Sequence, residues 1–273
     1  MIVDSDWLLS HLDDPKVRIV DIRGRVEATE PRYHAEPELY ALEHIPGAVF
    51  VDWTKDIVDL EDPVPVNIAG IRKFSDLMET LGIDNDTFVV AYDDHNTMFA
   101  GRLVWALRYY GHSKAAILDG GFQNWKREGK PVSSEIPRFA KTAFQAEPHP
   151  ELKRSADDVQ FRSTDTLLID ARRPEVFAKG HIPGAINLPH PTLTDSKTGK
   201  YLPLKELKES FRSAGLDPDR LPEKIISYCN GGASATVVLT ALSLLGREDV
   251  PLYDGSWNEW GRDPKRPKEG SDS

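Results

Sequence analysis

Short apolar runs alternate along the chain with longer stretches of helical spacing. In the C-terminal half, TLLID (166–170) is a continuous apolar run, the pattern of a strand buried on both faces. IPGAINLP (182–189) holds a second short strand. LPLKELKESFRSAG (202–215) puts Leu204, Leu207 and Phe211 on one helical face and stops at Gly215. KIISYC (224–229) reads as a third strand, ASATVVLTALSLLG (233–246) as a helix ended by Gly246, and VPLYDG (250–255) as a fourth strand. The N-terminal half gives the same order. RIVDI and AVFVD are strands, a helix runs through FSDLMETLG, FVVAY is a strand, a helix runs through GRLVWALRYYG, and AAILDG closes the series. Strands alternating with helices predict an α/β fold with a parallel sheet flanked by helices on both faces.

The two halves also share words. His-Ile-Pro-Gly-Ala stands at 44–48 and again at 181–185. VRIVDIR (17–23) echoes LLIDAR (167–172), FVVAYDD (88–94) echoes IISYCN (225–230), and LDGGFQNW (118–125) echoes YDGSWNEW (253–260). Four blocks in one order at nearly constant spacing mark a tandem repeat. The expected division is a domain over 1–132, a linker over 133–150 with three prolines and little periodicity, and a domain over 151–273.

Composition narrows the function classes. Hydrophobic residues at 40% and charged residues at 29% are ordinary for a globular protein and exclude wholesale disorder. A formal charge of −10 opposes binding to a phosphate backbone, so no nucleic-acid partner is expected. Lys265-Arg266-Pro267-Lys268 reads as part of a solvated tail. No apolar run reaches the ~18–20 residues of a membrane helix, and the first residues lack a basic, cleavable leader pattern. A single cysteine, Cys229, excludes an internal disulfide and a cysteine-cluster metal site. Together these features predict a cytoplasmic protein with no membrane partner, and no metal or organic cofactor.

The candidate chemistry lies in YCNGGASATVV (228–238). Cys229 follows a buried strand, at the carboxyl end where open α/β sheets place ligands. Asn230, Gly231, Gly232, Ala233, Ser234 and Ala235 then lead into a helix. Small residues let this loop curl so that several backbone N–H groups converge, as they do in an anion nest at a helix N-terminus. A sulfur at that centre is favoured as thiolate and becomes a nucleophile. Cys229 is therefore the catalytic candidate, and residues 230–235 are the candidate binding loop. The equivalent place in the first copy holds Asp93, whose carboxylate can imitate a bound anion but cannot do sulfur chemistry. A cysteine phosphatase needs an arginine six places after its cysteine, and Ala235 stands there. No second cysteine exists to resolve an oxidised thiol, which disfavours a redox sensor.

The order DxR, GHIPGA, strand–Cys–small-residue loop–helix, and DGGxxxW or DGSWxEW resembles the tandem-domain rhodanese family over about residues 1–262. The resemblance implies two rhodanese-like domains, the first inactive with Asp93 at the cysteine position and the second catalytic. It also implies a sulfurtransferase that moves a sulfane sulfur from thiosulfate or 3-mercaptopyruvate to cyanide or a thiol through a Cys229 persulfide. Members that use thiosulfate tend to carry basic residues after the cysteine, and members that use mercaptopyruvate a hydroxyl two places on. Gly231 supplies neither, and Val176 falls about where members often place a donor-binding arginine. A persulfide relay fed by a protein donor is the alternative. Arg172 recurs as Arg23 and reads as scaffold, whereas Arg173 has no twin and is carried as a donor-binding residue. His44 and His181 recur and are expected to serve the fold, Trp257 and Trp260 to serve the core, and His95 to be exposed.

Overall fold

A computed structural model describes residues 2–248 and 250–271. The chain forms two compact units. One runs to Leu60 and takes in Ile68–His149 and Lys197–Lys200; the other comprises Glu61–Asn67, Pro150–Ser196 and the residues from Tyr201 onward. Segment 133–149 therefore clusters with the first unit. It is without regular structure but is held by backbone bonds such as Thr142 N–H to the Glu79 carbonyl (3.1 Å) and His149 N–H to that of Tyr109 (2.7 Å).

The first unit contains β1 (Ile2–Val3), α1 (Ser5–Leu9), β2 (Val17–Asp21), β3 (Gly24–Val26), β4 (Tyr33–Ala35), α2 (Pro37–Leu42), β5 (Val49–Phe50), α3 (Ile71–Thr80), β6 (Phe88–Tyr92), α4 (Met98–Tyr109), β7 (Ala115–Leu118) and α5 (Gly121–Arg127). The second contains β8 (Lys153–Arg154), α6 (Ala156–Gln160), β9 (Leu167–Asp170), α7 (Pro174–Lys179), β10 (Ile186–Asn187), α8 (Leu204–Ser213), β11 (Ile225–Tyr228), α9 (Ala233–Leu244), β12 (Leu252–Tyr253) and α10 (Ser256–Trp260), with a 3-10 turn at His190–Leu193. The sheets run β1-β7-β6-β2-β5 and β8-β12-β11-β9-β10, so the copies share one strand order. Every pairing within both five-stranded sheets is parallel. The antiparallel β3–β4 hairpin, which no sequence pattern announced, belongs to the first unit.

The cores follow from the sequence pattern. β2, with every residue buried, lies between β6 and β5, and Ile19, Val90, Leu118 and Trp125 pack in the first core. Leu168, Ile182, Tyr228 and Trp260 pack in the second. Each such side chain contributes about 1.5–3 kcal/mol when fully buried. β6 and β11 sit at the centres of their sheets, and their carboxyl ends carry Asp93 and Cys229.

The basic tail is only partly solvated: Lys265 is exposed, but Arg266 is half-buried and tied down. The Arg266 guanidinium bonds Asp157 (2.7 Å) and lies over the Trp260 ring (5.2 Å), and the Trp260 indole donates to the Pro267 carbonyl (2.8 Å). Glu269 then pairs with His181 through two backbone bonds (2.7 and 3.0 Å). The first copy does the same, with Trp125 donating to the Pro131 carbonyl (2.7 Å) and His44 pairing with Ser133 (2.8 Å both ways). Each repeat therefore extends past its last tryptophan to a closing segment. The pairing with the HIPGA histidine is made through backbone atoms, which leave little mark on residue identity.

Candidate active site

A buried Asp–Arg pair and a tyrosine fix the end of each central strand. Arg172 Nε reaches both Asp170 oxygens (3.0 Å each) and its Nη2 donates to the Gly180 carbonyl (2.8 Å). Arg23 repeats this with Asp21 (3.1 and 3.0 Å) and the Glu43 carbonyl (2.7 Å). Burial opposes the charge on Arg172, but the Asp170 carboxylate outweighs it and holds the guanidinium pKa above its ordinary value. The Tyr92 and Tyr228 hydroxyls accept from the Ile45 and Ile182 N–H groups (3.1 Å each). Burial, reinforced by the neighbouring carboxylates, pushes both phenols well above their usual range. DxR, the strand tyrosine and HIPGA thus recur because they form one buried bonded unit. Arg172 is scaffold, as its duplication implied.

The histidines of HIPGA serve the same purpose. His44 is fully buried, with its ring nitrogens against the Tyr40 (2.7 Å) and Glu135 (3.0 Å) carbonyls. His181 stacks on Phe177 at 3.7 Å between ring centroids. Trp257 lies beneath Arg172 (4.6 Å), Trp260 is buried, and His95 is exposed.

In the first copy the corresponding loop wraps the Asp93 carboxylate. One Asp93 oxygen accepts from the backbone N–H groups of His95 (2.8 Å) and Thr97 (3.0 Å). The other accepts from Phe99 and Ala100 (2.8 Å each). Four backbone donors converge on one buried anion. Burial nevertheless dominates and raises the Asp93 pKa, with the N–H groups opposing it.

Cys229 occupies the same place. It is 2% exposed and follows β11, which is buried throughout. The Trp257 N–H donates to its carbonyl (3.0 Å), as the Phe122 N–H does to that of Asp93 (2.8 Å). The Cys229 N–H donates to Ser256 Oγ (3.1 Å), which donates in turn to the Tyr253 carbonyl (2.7 Å). Asn258 N–H bonds the Asn230 carbonyl (2.8 Å). DGSWNEW therefore clamps the backbone on both sides of the thiol. Sequence reasoning gave Ser256 and Asn258 no role, because neither recurs: Gly121 and Gln123 stand at their places in the first copy. Gly231, Gly232, Ala233 and Ala235 are buried, and Asn230 and Ser234 are half-buried. Gly232 precedes α9 at φ +78°, a left-handed conformation that glycine adopts without strain. The structure brings these loop residues together around the helix start. Arg173 is exposed at the N-cap of α7.

His190 was passed over in the sequence. It is 8% exposed and opens the 3-10 turn after β10, and its N–H bonds the Ala171 carbonyl (3.0 Å). Ala171 N–H in turn bonds the Tyr228 carbonyl (2.9 Å), next to Cys229. The signal was a comparison of copies, since VFVDW (49–53) ends in Trp53 where INLPH (186–190) ends in His190. Among the described residues, no group of three or more His, Cys, Asp or Glu is placed to hold a metal, and no helix is long and apolar enough to cross a membrane.

Comparison with known proteins matches this geometry. The chain fits the rhodanese-like domain family over residues 4–128 and 150–263. It is 35% identical over 272 residues to a 3-mercaptopyruvate sulfurtransferase of Escherichia coli K12, covering 95% of this chain and 94% of that protein. It is 31% identical over 284 residues to the sulfur carrier protein TtuD of Thermus thermophilus, covering 96% and 93%. The crystal structure of SseA from Escherichia coli, a 3-mercaptopyruvate sulfurtransferase, superposes with a TM-score of 0.84 at 34% identity, covering 94% of this chain and 98% of that one.

Proposed function

For a chain that belongs to the rhodanese family and is a sulfurtransferase, we propose that Cys229 of the second unit carries the sulfur as a persulfide, the first unit being a silent copy. One observation carries this reading. A lone thiol stands where the other copy gathers four backbone N–H groups around a carboxylate.

The Cys229 thiolate attacks the outer sulfur of the donor. With thiosulfate the S–S bond breaks and its electron pair leaves on sulfite. With 3-mercaptopyruvate the C–S bond breaks and the pair stays on the enolate of pyruvate, which takes up a proton. The backbone of 230–235 stabilises thiolate and persulfide alike, an electrostatic cradle set before the reaction begins. Cyanide or a thiol then attacks the outer sulfur, and the Cys229 thiolate leaves. Arg173 is the exposed cation that meets the anionic donor. The setting is the reducing cytoplasm, which keeps the thiol free.

Steady-state assays with cyanide as acceptor test this, with thiosulfate or 3-mercaptopyruvate as donor and Cys229→Ala as blank. Turnover with at least one donor is expected, together with complete loss in a folded blank. Residual transfer in the blank refutes the assignment. The similarity to a sulfur carrier favours one second reading, a relay fed by a protein donor. That reading requires silence with both small donors and sulfur uptake at Cys229 from a cysteine desulfurase.

A further inference from the structure

The copies differ most usefully beside the nest. In the first, Trp53 is 1% exposed and packs on Phe99 with ring centroids 4.4 Å apart. The Phe99 N–H is one of the four donors to Asp93. The residue at position 53 thus lies one side chain away from the group at the nest centre. In the second copy α9 begins at Ala233 as α4 begins at Met98, so Ser234 replaces Phe99, Cys229 replaces Asp93 and His190 replaces Trp53. The silent copy fills this corner with two aromatic rings. The equivalent positions of the other carry a hydroxyl and an imidazole.

Strand register agrees. Asn187, Asp170 and Tyr228 lie level across β10, β9 and β11, and His190 and Cys229 follow at the same sheet edge. The turn that His190 opens packs against α9 and α8. α9 bears no charged residue, and α8 turns Leu207 and Phe211 inward. The ionisable residues at this sheet edge are Cys229 after β11 and the buried Asp170–Arg172 pair of β9, and Asp195 follows the turn in sequence.

We propose that His190 removes the proton from an acceptor thiol in the second half-reaction, an inference that rests on the persulfide reading above. The imidazole takes the S–H proton, and the acceptor thiolate attacks the outer sulfur of the Cys229 persulfide. The S–S bond breaks with its pair on Cys229 Sγ, and the acceptor leaves as a persulfide. Sulfite needs no such help, because its attacking lone pair carries no proton. A thiol of pKa ~8.5 is only about 3% ionised at pH 7, so a base in place accelerates thiol attack up to about thirtyfold.

Wild type, His190→Ala and His190→Trp are loaded with donor, and the gain of one sulfur atom at Cys229 is read by mass spectrometry. The loaded forms are then discharged in single turnovers at pH 7 with a small thiol or with sulfite. The expected result is a roughly ten- to thirtyfold slower discharge to thiol in both variants, with discharge to sulfite unchanged. Free imidazole is expected to restore the thiol reaction in His190→Ala alone. His190→Trp carries the first copy's own residue, which guards against simple misfolding. Thiol discharge at the wild-type rate, or equal losses with both acceptors, overturns the role of His190. Wild type that gains no sulfur at Cys229 refutes the persulfide reading itself.

Discussion

Asp94 gives a prediction whose size can be worked out. It is half-buried beside Asp93, and burial followed by the Asp93 charge pushes its pKa from 3.8 up to about 6, with Arg23 opposing. A carboxyl group with a raised pKa binds its proton more tightly in the folded state. Above pH 6 both states are ionised and the fold bears the cost. Between about pH 6 and pH 4 the folded state protonates first and stability rises as pH falls. Below about pH 4 the difference disappears. About two pKa units at 1.36 kcal/mol each is about 3 kcal/mol, and partial exposure reduces the expected gain to about 1–2 kcal/mol. Asp94→Asn should therefore stabilise the first unit by about 1–2 kcal/mol at pH 7.5 and by nothing at pH 4. Urea unfolding followed by tryptophan fluorescence at both pH values is the assay. Equal stabilisation at both, or destabilisation at pH 7.5, would refute the reasoning.

Other outcomes follow from the site. Ser256→Ala strips the Cys229 N–H and the Tyr253 carbonyl of a buried partner and should cost about 1–3 kcal/mol, read as a lower Tm. Arg172→Leu and Arg23→Leu each leave a buried aspartate unpaired, so each should lose about 3–5 kcal/mol in urea unfolding. Asp170→Asn combined with Arg172→Leu should regain much of that loss. Gly231→Lys supplies a loop cation and should lower the thiosulfate KM relative to that for 3-mercaptopyruvate; an unchanged ratio counts against the loop as the donor contact.

Much of this was legible in the residues. Buried parallel strands are continuous apolar runs, so β2, β6, β9 and β11 stood out. The edge strands β1 and β8 did not, because Ile2–Val3 and Lys153–Arg154 lack the longer apolar surroundings that revealed the equally short β5, β10 and β12. The Cys229 loop was visible through its small residues, and its working geometry through the Asp93 copy. The closing segments went unread because their ties are backbone carbonyls and one indole. His190 was not legible from the motifs because repeated words mark what the copies share, and His190 stands where they differ, opposite Trp53.

The four N–H groups that hold Asp93 bear on stoichiometry. A cradle filled by its own side chain has no vacancy for phosphate, sulfate or a sulfur donor. The fold is built twice, yet only the second copy carries a thiol at this place. Titration with donor should saturate at one sulfur per polypeptide, and competing cellular anions meet a single opening.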